Sequence, residues 1–264
     1  MPEIAHRTKL SQKQLTLLRL LAKFRYVTIP LLAQYIGVRK EPFNRTMKIL
    51  VEHGYVTRIY NNSYKIERRP AIYFLSKEGI KYLREHTELD TDFLRPLYKN
   101  GTLSDSFIEH QLRLLTAIIH IRYAYDKAFS ILTKIELRDK DEFTNEAVDA
   151  YLLKTLGTSR QQKDYILEVC DNPMLFISKK RLRQLIDFLS DEWVDENNNY
   201  PTLLFVLNDQ RVEKTFLRYA RKIIEDTVYI DVGVRTTTLQ RVQDAELGKN
   251  IWMDIASDLL VALD

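Results

Sequence analysis

Two glycines, Gly37 and Gly54, cut the first third of this 264-residue chain into short pieces, and they limit what that third can become. Each follows an amphipathic stretch, and glycine is the residue that most readily ends a helix in a left-handed turn. A first helix is expected from Ser11, a capping residue, to Arg25, with Leu15, Leu18, Leu21 and Ala22 as its apolar stripe. Thr28 is placed to cap a second, with Pro30 in its first turn and Leu31, Leu32, Tyr35 and Ile36 facing inward. A third is expected over 40–53, with Phe43, Met47, Leu50 and Val51 on one face. Its other face carries Asn44, Arg45 and Lys48, and Arg39 and Lys40 stand at its start. A β-rich run at 55–60, a turn at 61–63, a basic and aromatic tip at 64–69 and a second strand at 71–75 follow. Ser76 then opens a fourth helix over 77–86.

Over residues 10–86 this order resembles a winged helix-turn-helix domain. The resemblance implies a partner, double-stranded DNA. The third helix would enter the major groove, where Asn pairs with adenine and Arg or Lys with guanine. The expected contacts on and before that helix are Arg39, Lys40, Asn44, Arg45 and Lys48. From the wing they are Arg58, Lys65, Arg68 and Arg69, reaching phosphates or a narrow minor groove. A solvated charged face used for protein contacts is the plainer alternative.

Charge separates this region from the rest. The formal net charge of +4 is small, but residues 1–86 carry 17 Lys+Arg against 6 Asp+Glu, a balance of +11. Residues 87–264 carry 23 against 30, a balance of −7. Such asymmetry points to a basic module that meets a polyanion, joined to a second module. The polar stretch 87–103, with Pro96 and Gly101, reads as a linker, so the expected division is 1–86, 87–103 and 104–264.

From residue 104 the pattern changes. A heavily apolar helix is expected to about residue 128, then strands at 131–137, 148–156 and 165–170, a helix at 175–189 and a strand at 202–207. A helix at 210–224 and a strand at 228–234 complete an α/β domain with a mixed sheet, so the whole chain combines α+β and α/β parts. That order matches the PD-(D/E)XK, or restriction-endonuclease-like, fold. There two carboxylates hold a divalent metal that polarises a phosphate, and a lysine helps to activate water. Val148-Asp149 stands where that fold has Pro-Asp, Glu168-Val169-Cys170 where it has Glu-x-Lys, and Glu109 is placed to supply an additional acid. Cys170 at the lysine position departs from the pattern, leaving Lys179, Lys180 or Arg183 to reach back, with Lys180 the residue named for the role. A hairpin closed around 157–163 would set Asp149 several residues away from Glu168 unless a bulge intervened. The expected domain is therefore a degenerate nuclease scaffold, with Mg²⁺ or Mn²⁺ at Asp149 and Glu168 only if it is active, and otherwise no cofactor.

Taken across the chain, Glu109-His110-Gln111-Leu112, Val148-Asp149-Ala150-Tyr151-Leu152 and Ile166-Leu167-Glu168-Val169-Cys170-Asp171 resemble the replication-relaxation family. The helix with Lys180 and Arg183 is similar to that family too, and Leu247-Gly248-Lys249-Asn250-Ile251-Trp252 to its closing signature, which runs from a glycine to a tryptophan. The family occurs on bacterial plasmids and other mobile elements. The resemblance implies replication, relaxation, transfer or their regulation, with a homodimer and other replication or transfer proteins as partners. A metal-dependent endonuclease, and a transcription regulator with a ligand-sensing or dimerising C-terminal domain, stay open as alternatives.

Several classes have no support. Cys170 is the sole cysteine, which excludes an internal disulfide and fits a reducing cytoplasm. No apolar run approaches the roughly 18 residues needed to cross a bilayer, and the first residues lack the apolar region of a signal peptide. The histidines have no metal-ligand spacing, and no phosphate-binding glycine loop or GxSxG motif occurs. Trp193, in an acidic stretch, reads as a surface anchor.

Overall fold

The computed structural model describes residues 9–126, 128–138, 140, 143, 148–155, 162–170, 175–193, 200–227 and 231–263. The chain forms two compact units, divided between Leu115 and Thr116.

The first unit begins with α1 (Gln12–Phe24), where Ser11 and Gln14 exchange side-chain and backbone hydrogen bonds in a capping box. A two-residue strand, β1 (Val27–Thr28), leads into α2 (Ile29–Ile36). Thr28 Oγ1 accepts from the Leu31 amide, and Gly37 ends the helix at φ +79°. Next come α3 (Glu41–Glu52), β2 (Val56–Ile59), α4 (Asn62–Ile66), β3 (Ile72–Leu75) and α5 (Lys77–His86). The strands form an antiparallel sheet in the order β1-β3-β2. Leu17, Leu18, Leu21, Leu32, Met47, Leu50 and Leu83 are fully buried, so α1, α2, α3 and α5 each turn an apolar stripe inward.

Two expectations need correction here. Residues 61–66 were expected as a turn and an irregular tip, but they form α4, because Asn61 Oδ1 accepts from the Tyr64 amide at 3.1 Å and caps a helical turn. The same side-chain-to-backbone bond serves a turn or a helix start, so composition does not separate them. The stretch expected as a linker is folded: α6 (Thr91–Leu94) runs into a 3-10 helix (Arg95–Thr102), with Phe93, Leu94, Leu97 and Asn100 buried. Arg25 holds it, donating to Asn100 Oδ1 at 2.6 and 3.0 Å and to the Pro96 carbonyl at 3.1 Å. Tyr26 adds a hydrogen bond from its hydroxyl to the Asn100 carbonyl, and burial pushes its phenol up to about 12.

Helix α7 (Asp105–Ala124) spans the division. The second unit continues with β4 (Phe129–Thr133), β5 (Ala150–Thr155), β6 (Gln162–Cys170), α8 (Leu175–Asp191), β7 (Thr202–Leu207) and α9 (Gln210–Asp226). It closes with β8 (Val234–Thr238), α10 (Leu239–Gln243), β9 (Trp252–Asp254) and β10 (Leu260–Val261). Among the described residues the sheet has seven strands in the order β10-β9-β8-β7-β6-β5-β4. The pairs β6/β7 and β7/β8 are parallel and the others antiparallel, so the sheet is mixed as expected. Leu182, Leu185 and Leu189 of α8 and Phe216 and Ala220 of α9 share a core with Ile166, Leu203, Phe205 and Leu207. The strand expected at 228–234 instead starts at Val234, and residues 228–230 lie outside the described ones. Trp193 is no surface anchor: its ring packs against Phe143, Tyr151 and Phe188 at 5.8–6.2 Å between centroids. Among the described residues no helix is long and apolar enough to cross a membrane.

Candidate functional site

Two places carry the residues singled out from the sequence, one in each unit. In the first, α3 buries Phe43, Met47 and Leu50, and helical geometry then turns Asn44, Arg45 and Lys48 outward. All three are exposed, as are Arg39 and Lys40 in the turn that Gly37 opens. Lys48 meets Glu52 one turn on at 3.7 Å, an exposed pair of small worth that a phosphate can displace. On β2 the exposed Arg58 lies over the Tyr60 ring at 4.6 Å. Lys65 on α4 is exposed, and so is Arg68, whose φ of +54° places it in the left-handed region.

Arg69 is different. Its guanidinium donates to Glu109 Oε1, lies 3.7 Å from Glu67 and covers the Tyr64 ring at 5.0 Å. Arg69 is thus engaged within the first unit rather than held out like its neighbours, and Glu109, expected as an additional catalytic acid, is its counter-ion. The physical reason is that α7 brings an acid to a half-buried arginine that requires one.

The second place is the start of β5 and the end of β6. The pairing Ala150↔Leu167 sets Asp149 directly opposite Glu168. Asp149 donates its amide to Glu168 Oε1 at 3.3 Å, and Asp149 Oδ2 accepts from the Val169 amide at 3.0 Å. The expected separation of the two acids is therefore wrong. The register pairs Thr155 with Gln162, and Lys163, expected in the turn, belongs to the strand opposite Lys154. A shift of that size changes which residues face each other along the whole ladder.

Glu168 is buried, 6% exposed, and Arg181 of α8 grips both of its oxygens: Nε donates to Oε2 at 2.9 Å and Nη2 to Oε1 at 2.8 Å. Burial, reinforced by the Asp149 charge, pushes the Glu168 carboxyl up to about 7, while Arg181 pulls the other way. Burial likewise pushes the Cys170 thiol up to about 12, so it is a neutral neighbour near pH 7. Lys180, the residue expected to reach this pair, is exposed on α8. Lys179 and Arg183 lie over the Tyr219 ring of α9 at 4.7 and 5.3 Å. The cation at the site is Arg181, which sequence reasoning passed over by weighing its neighbours. A signal was available, because Arg181 lies three residues after Ser178 and four before Leu185, both on the buried stripe of α8. An arginine on such a stripe requires a buried partner. Asp171, the last residue of the 166–171 motif, lies outside the described residues.

These contacts do not suit a divalent ion. Both Glu168 oxygens are engaged by a guanidinium, one Asp149 oxygen is held by a backbone amide, and the thiol beside them is protonated. Among the described residues no three His, Cys, Asp or Glu side chains come together as a metal-holding group.

Neither a family model nor a curated protein matches the chain. Among solved structures it is similar to restriction endonuclease FokI, with a TM-score of 0.33 and 11% identity over 90% of this chain and 44% of that one. It is likewise similar to FokI bound to DNA, at 0.29 and 12% over 90% and 45%. The chain thus spans less than half the length of these structures. The fold described above rests on its own strand order and register.

Proposed function

We propose that the protein is a sequence-directed double-stranded DNA-binding protein of a plasmid or other mobile element. In this reading the first unit is a winged helix-turn-helix domain, α3 its recognition helix, and the β2–β3 connection with α4 its wing. The observation that carries the reading is the exposed row Arg39, Lys40, Asn44, Arg45 and Lys48, in the turn before a helix and along its outer face, while its other face is buried. Exposed cations on one element, with an amide among them for base edges, are what groove recognition requires. Arg58, Lys65 and Arg68 extend the same charge onto the second element such a domain uses.

The second unit is read as a degenerate restriction-endonuclease-like domain, as in the replication-relaxation family, serving dimerisation or contacts with replication or transfer proteins. A homodimer would favour palindromic sites, since two-fold protein symmetry matches two-fold DNA symmetry. The test is fluorescence anisotropy on duplex DNA across a salt series. Arg45→Ala and Arg68→Ala should each weaken binding several-fold at low salt, and the slope of log K against log salt should flatten by about 0.9 per lost phosphate contact. Unchanged affinity in both variants overturns the proposal.

The nuclease reading draws on one observation, the convergence of Asp149 and Glu168 at opposite register positions. Nicking of supercoiled plasmid in Mn²⁺, lost in Asp149→Asn, would establish it.

A further inference from the structure

We propose that the Arg181 guanidinium takes the place of a metal ion at the Asp149–Glu168 pair, so that the wild-type chain binds no divalent cation there and Arg181→Gln turns the pair into a cation site. The argument starts from register. Two acids that face each other across β5 and β6, one of them buried, leave negative charge that the fold has to neutralise. A divalent cation and a guanidinium are two chemistries that do so for paired carboxylates. A cation draws oxygen ligands around itself and needs carboxylate lone pairs free to point at it. A guanidinium needs two oxygens of one carboxylate in its plane and satisfies them with a parallel pair of N–H bonds. The observed geometry is the second, at 2.9 and 2.8 Å.

The surroundings agree. Arg181 is 17% exposed at its side chain and Glu168 8%, so the pair is largely removed from water, where separating it would strand a charge. Position 170, the third place along this strand end, presents sulfur rather than the oxygen a hard cation prefers. Helix α8 is anchored by Leu182, Leu185 and Leu189 in the core, which keeps the guanidinium over β6. Glutamine at 181 keeps part of the side-chain bulk and removes the charge. Both Glu168 oxygens then lose their guanidinium donors and are free to turn toward a cation beside Asp149.

The inference concerns the second unit alone, so its failure and that of the DNA-binding proposal are separate results. The test is thermal unfolding of the 264-residue chain with and without millimolar MnCl₂. Wild type should not respond. Arg181→Gln should melt lower without metal and recover by about 3 °C or more with it, and the double variant with Asp149→Asn should lose that recovery. A folded Arg181→Gln that ignores Mn²⁺ overturns the proposal. Should that variant fail to fold, electron paramagnetic resonance of Mn²⁺ titrated into wild type decides. An undiminished free-ion signal supports the proposal, and a loss of signal that Asp149→Asn reverses overturns it.

Discussion

Glu168 shows how much one side chain can govern locally. Its carboxyl is enclosed, faces a second acid and is held by a guanidinium, and burial outweighs the pair, so the folded chain keeps its proton up to about 7. An unfolded glutamate gives up that proton near 4.5. Between these values the native state binds more protons than the unfolded state, so stability falls as pH rises through that window. Thermal unfolding at intervals from pH 4.5 to 8 should show the wild-type advantage over Glu168→Gln shrinking toward pH 7 and then levelling, since glutamine does not titrate. A difference that grows with pH would mean that Arg181, not burial, sets the proton affinity.

At the scale of elements, capping residues did what their chemistry allows: Ser11, Thr28, Asn61 and Ser76 each accept from the amide of the third residue of a helix. The 3-10 helix is a different case. It has no apolar stripe strong enough to announce itself, yet Leu97 is buried and Asn100 accepts two bonds from Arg25. Such a segment is held by tertiary contacts rather than by its own propensity. Asn100→Ala removes the acceptor of a charged donor and should cost about 2 kcal/mol, read as a lower denaturation midpoint with unchanged slope. Asn100→Asp keeps an oxygen for Arg25 and should cost less. Helix α10 gives the same lesson, since Arg241 pairs with the buried Glu213 of α9 at 2.8 Å through both nitrogens, a partnership no local pattern indicates.

Across the whole molecule charge is segregated more strongly than its sum suggests. Residues 1–115 carry 20 Lys+Arg and 11 Asp+Glu, a balance of +9, and residues 116–264 carry 20 and 25, a balance of −5. A polyanion senses the local field rather than the total. On heparin, removing Arg39, Arg45 and Arg68 by alanine should lower the elution salt clearly. Removing the exposed Arg211, Lys214 and Arg218 of α9, an equal change in net charge, should leave it nearly unchanged. What could be read from the sequence follows the same line between local and distant. The helix starts at Ser11, Thr28 and Ser76, the glycine stops at 37 and 54, strand β7 and the basic third were legible because each depends on neighbours a few residues apart. The end of the sheet was not, because β8 is a Thr-rich strand and β9 and β10 are too short for periodicity to show. By itself the sequence determined that a basic helical module precedes an acidic α/β module, and named Asp149 and Glu168 as the acids to watch. Only the tertiary structure decided that those acids face each other and that Arg181, not a lysine, grips Glu168. Register and counter-ion choice are settled by which distant surfaces pack, and a difference of three residues in one hairpin is enough to change both.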